Sequence, residues 1–159
     1  MPVGRALSEV DTGAGSSDRR GDAGRPSLDI TTVTASRDAG GLDLAVQLAG
    51  RPFVNQPGSD EAGSYGVQIK AGTAGFWILV ATRTADRDAF SLQPREGSGS
   101  YLVVDVRGAF RSRGWTARIP PGVIPDGVPL KLRWVAEFTA SDTQTTIDRA
   151  PDRGTLGLG

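Results

Sequence analysis

The sequence predicts an all-β fold, an antiparallel β-sandwich of jelly-roll-like form with about seven to nine strands. Three observations carry that expectation. Apolar residues recur with a period of two from Leu28 onward, 22 Gly and 10 Pro punctuate the apolar runs, and no window of about 11 or more residues shows a capped helical period. An open barrel is the competing way to close such strands.

Residues 1–26 precede the periodic region and are rich in Gly, Ser, Asp and Arg. Without a hydrophobic period they bury too little surface to offset the entropy of ordering, so they read as a flexible arm ahead of a sandwich domain at 27–159. Arg20-Gly21-Asp22 in this arm is the tripeptide that integrins recognise, but three residues recur by chance too readily to carry a function. Met1 to Val10 lacks the apolar run of an intact signal peptide.

Ile30–Ser36 and Leu42–Leu48 form the first expected hairpin. Leu42, Leu44, Val46 and Leu48 alternate with Asp43, Ala45 and Gln47, and Asp38-Ala39-Gly40-Gly41 supplies the turn. A second hairpin joins Tyr65, Val67 and Ile69 to Phe76, Ile78 and Val80 through Ala71–Gly75. Tyr101–Val106 is β-branched and apolar on both faces, the composition of a central strand. Trp115, Ala117 and Ile119 alternate up to Pro120-Pro121, which ends the ladder because proline donates no hydrogen bond. In the last long strand Leu130, Leu132, Trp134, Ala136 and Phe138 share one face, and Lys131, Arg133, Glu137 and Thr139 the other.

Composition narrows the function. Lys plus Arg and Asp plus Glu balance at 18 each, so no net field draws in nucleic acid or an anionic membrane, and no run approaches the ~20 apolar residues of a spanning helix. Arg outnumbers Lys, whose only members are Lys70 and Lys131, and the charges are scattered along the chain. Cys and His are both absent, which removes thiolate and imidazole metal sites and the Ser-His-Asp and Cys-His triads. A glycosidase needs two carboxylates flanking one bond. The four Glu are Glu9, Glu61, Glu96 and Glu137; Glu137 faces away from the core phase and the others fall in loops or the arm. The expectation is therefore a chain that is not an enzyme.

Two segments resemble a known pattern. The first is Asp18-Arg19-Arg20-Gly21-Asp22, followed by Leu28-Asp29-Ile30-Thr31-Thr32-Val33 and Gly40-Gly41-Leu42-Asp43-Leu44-Ala45-Val46-Gln47-Leu48. The second is Trp115–Pro120 with the closing Asp148-Arg149-Ala150-Pro151-Asp152-Arg153-Gly154. Together they are similar to the opening and closing motifs of DOMON and family-nine carbohydrate-binding sandwiches of actinobacterial secreted proteins. The resemblance implies an extracellular or cell-surface module that binds sugars or haem, or stands beside hydrolases. The sequence departs from that pattern at Gln56–Ser64, where Asp60 and Glu61 replace an Asp-rich loop.

Candidate site residues follow. Asp18, Asp22 and Asp29, joined by Asp152 and Asp148 from the chain end, offer oxygens to a hard cation such as calcium; the same residues also serve as turn formers and caps beside Arg19, Arg20 and Arg25. Trp77 is out of phase with Phe76, Ile78 and Val80, so an exposed face would let its indole stack on a sugar, with Tyr65 and Tyr101 as weaker platforms. The opposing reading places Trp77 and Leu79 in a buried layer. The leading expectation is a non-catalytic binding or accessory module for a carbohydrate or surface protein, with no nucleic acid and no membrane insertion. The second is a structural component of a particle or cell envelope whose arm contacts neighbouring subunits.

Overall fold

Period-two alternation sends every second side chain to one side of a strand, and a strand so patterned is stable only when its apolar side is covered. The computed structural model, which describes residues 12–17, 25–39, 41–94, 104–140 and 145–159, meets that requirement with two antiparallel sheets packed face to face. The described residues contain no helix.

The strands are β1 (Thr12–Ser17), β2 (Ile30–Asp38), β3 (Gly41–Leu48), β4 (Ala62–Ala71), β5 (Gly75–Arg83) and β6 (Asp88–Pro94) in the first part of the chain. They continue as β7 (Val104–Asp105), β8 (Arg107–Arg111), β9 (Gly114–Ile119), β10 (Leu130–Thr139), β11 (Thr145–Ala150) and β12 (Leu156–Leu158). One sheet has five strands in the order β1-β2-β3-β9-β8, and the other has seven, in the order β11-β10-β4-β5-β6-β7 with β12 also on β10.

The sandwich is the expected fold, with more strands than anticipated. β2–β3 and β4–β5 are the two hairpins that the alternation foretells, and β9 and β10 fall where Trp115–Ile119 and Leu130–Thr139 require. Additional strands β1, β6, β8, β11 and β12 come from segments whose alternation is weak. Short turns join β2 to β3 and β4 to β5 to β6, β1 and β7 lie on the outer sides of β2 and β6, and β9 and β10 return from later in the chain to pair with β3 and β4.

Two expectations need correction. Thr12–Ser17 does not belong to a flexible arm; it pairs along the edge of β2 from Thr12 opposite Arg37 to Ser17 opposite Thr32. Backbone pairing accounts for this despite a sequence of small residues, because β2 would otherwise present unpaired amides at its edge. Of the proposed central strand Tyr101–Val106, the part at 101–103 lies outside the described residues, and β7 is a two-residue strand at the edge of its sheet. Val106, opposite Phe90 in the same register, still donates its N–H to the Phe90 carbonyl at 3.0 Å, and β8 in the other sheet begins at the next residue.

Between the sheets lie Trp115, Leu44 and Ile119 from one side and Trp134, Ile69, Leu79, Leu92 and Leu132 from the other, all buried. Phe90 of β6, Phe110 of β8 and Trp115 of β9 bridge the two sheets, with ring centroids 5.1 Å and 6.1 Å from Phe90. Gly108 makes that bridge possible, since a Cβ there would lie 2.6 Å from the Phe90 ring. The loop between β9 and β10 is held by Arg37, whose guanidinium donates to the Val128 carbonyl at 2.8 Å and to that of Pro125.

Candidate functional site

On the outer face of the five-stranded sheet, strand register aligns small residues into a single transverse row. Gly15 lies opposite Thr34, Thr34 opposite Ala45, Ala45 opposite Thr116 and Thr116 opposite Ala109. A row of Gly, Ala and Thr leaves a trough across the strands, roughly 19 Å long at the spacing of neighbouring strands. Its walls are the next rows of outward side chains, two residues away along each strand. One wall runs Ser36, Asp43, Arg118, Arg107; the other runs Thr32, Gln47, Arg111 and is interrupted on β9, where the row falls on Gly114. Two adjoining depressions of about 520 Å³ each lie along this surface and share Ala45, Arg111 and Thr116.

Charge along the walls is uneven. Arg118 donates to Asp43 at 2.5 Å and to Asp38 at 3.1 Å, and those bonds hold its guanidinium even more firmly protonated than usual. Arg107 and Arg111, on either side of Ala109, are exposed, and so is Arg113 in the β8–β9 turn. None of the ion pairs among the described residues uses these three arginines. Arg107 lies directly opposite Arg118, a like-charge pairing that costs stability unless it is screened. Asp43 and Asp38 screen one member of that pair, and the other is left facing the trough.

The residues singled out from sequence lie elsewhere. Trp77 is 6% exposed on the inward face of β5, in phase with buried Leu79 and Ala81, while Phe76, Ile78 and Val80 turn outward, half-buried. A sugar cannot reach its ring. Tyr65 is likewise buried on β4; its hydroxyl donates to the Ser27 carbonyl at 2.5 Å and accepts from the Phe53 N–H at 2.8 Å. Tyr101 lies outside the described residues. The inward phase of β5 explains the correction: Ile69 pairs with Trp77 and Val67 with Leu79, so the apolar faces of β4 and β5 coincide in the core.

For the cation candidates, Asp18 and Asp22 lie outside the described residues. Among the described residues no three Asp or Glu side chains gather to hold a metal ion. Asp29 is buried where β2 begins, whereas Asp152 is exposed beyond β11, and its carbonyl accepts from Arg133 at 2.5 Å. Asp148 spends its carboxylate on backbone amides, accepting from Ile30 at 2.8 Å and Arg149 at 3.0 Å.

Compared with family models, curated proteins and solved structures, the chain matches none. No local sequence signal marks the trough, because its floor residues belong to five strands and are small residues common in any strand. Ala45 and Gln47 were legible as an outward phase of β3. That Thr34, Thr116 and Ala109 complete their row depends on the order of strands within the sheet.

Proposed function

We propose that the chain is a non-catalytic binding module whose ligand is a cell-surface glycan lying across the outer face of the five-stranded sheet. The observation that carries this reading is the transverse row Gly15, Thr34, Ala45, Thr116 and Ala109, an open trough on a paired, rigid sheet. A pre-formed surface of this kind loses little order on binding, so little of the contact energy is offset. The Thr34 and Thr116 hydroxyls and the Gln47 amide along it can exchange hydrogen bonds with sugar hydroxyls. Absence of His and Cys from the sequence and the scatter of its four Glu support a binding role. So does the resemblance of the Asp18–Leu48 and Trp115–Gly154 segments to carbohydrate-binding sandwiches.

The test is retention of the full chain on immobilised polysaccharides, beside an Ala45→Trp variant that fills the middle of the trough. Retention of the natural chain and its loss in the variant, at unchanged melting temperature, is the expected result. Equal retention of both proteins rules the trough out.

A second reading, a subunit of a larger assembly, draws on the outer face of the seven-stranded sheet. There Ile78, Val80 and Val135 surround Gly66, and Ile147, 40% exposed, stands on the neighbouring edge strand. Self-association in sedimentation, abolished by Val80→Asp, distinguishes it from a monomeric binding module.

A further inference from the structure

We infer that the glycan bound by this module is acidic, with a carboxylate or sulfate group seated at the β8 end of the trough between Arg107 and Arg111. The inference rests on the binding reading above and names the ligand class for the same site.

Strand geometry sets the argument. Arg107 and Arg111 are four residues apart on β8, so their Cα atoms are separated by roughly 13 Å and their side chains leave the same face. Ala109 lies between them and is the last residue of the small row, so the floor of the trough runs out between two guanidinium groups. Arg113 follows in the turn and lines the adjoining depression together with Arg111.

Elsewhere on this face Arg118 is paired with Asp43 and Asp38. Arg107, Arg111 and Arg113 take no part in any ion pair of the described residues, in a chain whose opposite charges balance at 18 each. Concentrating uncompensated arginines at one end of an open groove creates a local positive field even where the net charge is zero. Arginine also suits the role chemically, because its planar fork meets a carboxylate or sulfate with two parallel hydrogen bonds.

The same surface argues against other polyanions. An extended acidic peptide gains affinity by adding a strand to a free sheet edge and would run along β8, an edge strand, whereas this trough crosses the strands. Single-stranded nucleic acid needs aromatic platforms for its bases, and the row beneath the trough consists of Gly, Ala and Thr.

The experiment is affinity electrophoresis of the full chain through gels containing polygalacturonate, dextran sulfate or neutral dextran, with polyglutamate and a single-stranded oligonucleotide as competitors. The proteins are the natural chain, Arg107→Ala/Arg111→Ala and Ala45→Trp, with Arg107→Lys/Arg111→Lys in reserve should the double alanine variant lose its fold. Retardation is expected in one or both acidic gels and not in neutral dextran, weakening as salt is raised. The double alanine variant is expected to bind about tenfold more weakly or worse, and the lysine pair, which keeps charge but loses the fork, to fall between.

Whether polygalacturonate or dextran sulfate retards the chain identifies the acid. The inference is overturned if neither does, if the arginine variant binds as well as the natural chain, or if polyglutamate or the oligonucleotide competes as effectively as the glycan. Binding of neutral dextran that Ala45→Trp abolishes and the arginine variant retains would leave the trough reading standing and remove the acidic ligand. Glycan binding untouched by Ala45→Trp removes both.

Discussion

Asp148 and Ile30, 118 residues apart in sequence, are joined by a buried hydrogen bond of 2.8 Å from the Ile30 N–H to the Asp148 carboxylate. It ties β11, an edge of the seven-stranded sheet, to the first residue of β2 in the other sheet. Asp148→Ala leaves the Ile30 amide buried without that acceptor and is expected to cost about 1–3 kcal/mol. Asp148→Asn retains an acceptor oxygen and is expected to cost less. Urea denaturation of both variants checks the order; equal losses would show that charge rather than the acceptor matters.

Burial pushes the Tyr65 phenol up from 10.0 to about 12, against smaller lowering effects from the Phe53 N–H and the Arg83 charge. A pKa raised in the folded state makes this contribution to stability complete below the unfolded value. Between pH 10 and about 12 the unfolded chain ionises first, so stability falls with rising pH across that window. Tyr65→Phe is expected to flatten this part of the stability curve and remove the delayed part of the ultraviolet phenolate titration. It also leaves the Ser27 carbonyl and Phe53 N–H without their partner, at about 1–3 kcal/mol near neutral pH.

Trp77 and Trp134 are both core residues, 6% and 0% exposed. Replacing either with Ala is expected to cost about 3–5 kcal/mol, as large aromatic deletions do. The denaturation midpoint measures this directly. A Trp77→Ala protein with an unchanged midpoint would place that indole on the surface after all.

At Gly114 a Cβ would lie 2.1 Å from the Val46 carbonyl oxygen, a backbone atom that cannot move aside without parting β3 from β9. Gly114→Ala is therefore expected to destabilise the fold by about 1–3 kcal/mol or more. It should also weaken glycan retention, because the β3–β9 pairing aligns Ala45 with Thr116 in the trough. Amide hydrogen exchange at β3 and β9 would report the separation, and unchanged protection there would contradict it.

Local alternation determined much of the architecture without help. The side-chain period of a strand is two, so Leu42–Leu48 and Leu130–Phe138 announce their own buried faces, and Gly-rich turns announce two hairpins. Weakly patterned segments were different. Thr12–Ser17 and Arg107–Arg111 become strands because β2 and β9 offer edges to pair with, information carried by other parts of the chain. Trp77 shows the limit most clearly: alternation separated its phase from that of Phe76, Ile78 and Val80, but only the opposing sheet decided which phase was covered. The candidate site belongs wholly to this second kind. Thr34, Ala45, Thr116 and Ala109 are distant in sequence, and the arginines read as scattered. Cross-strand register brings the four into one row and leaves Arg107 and Arg111 at its end, because sheet neighbours are chosen by long-range pairing.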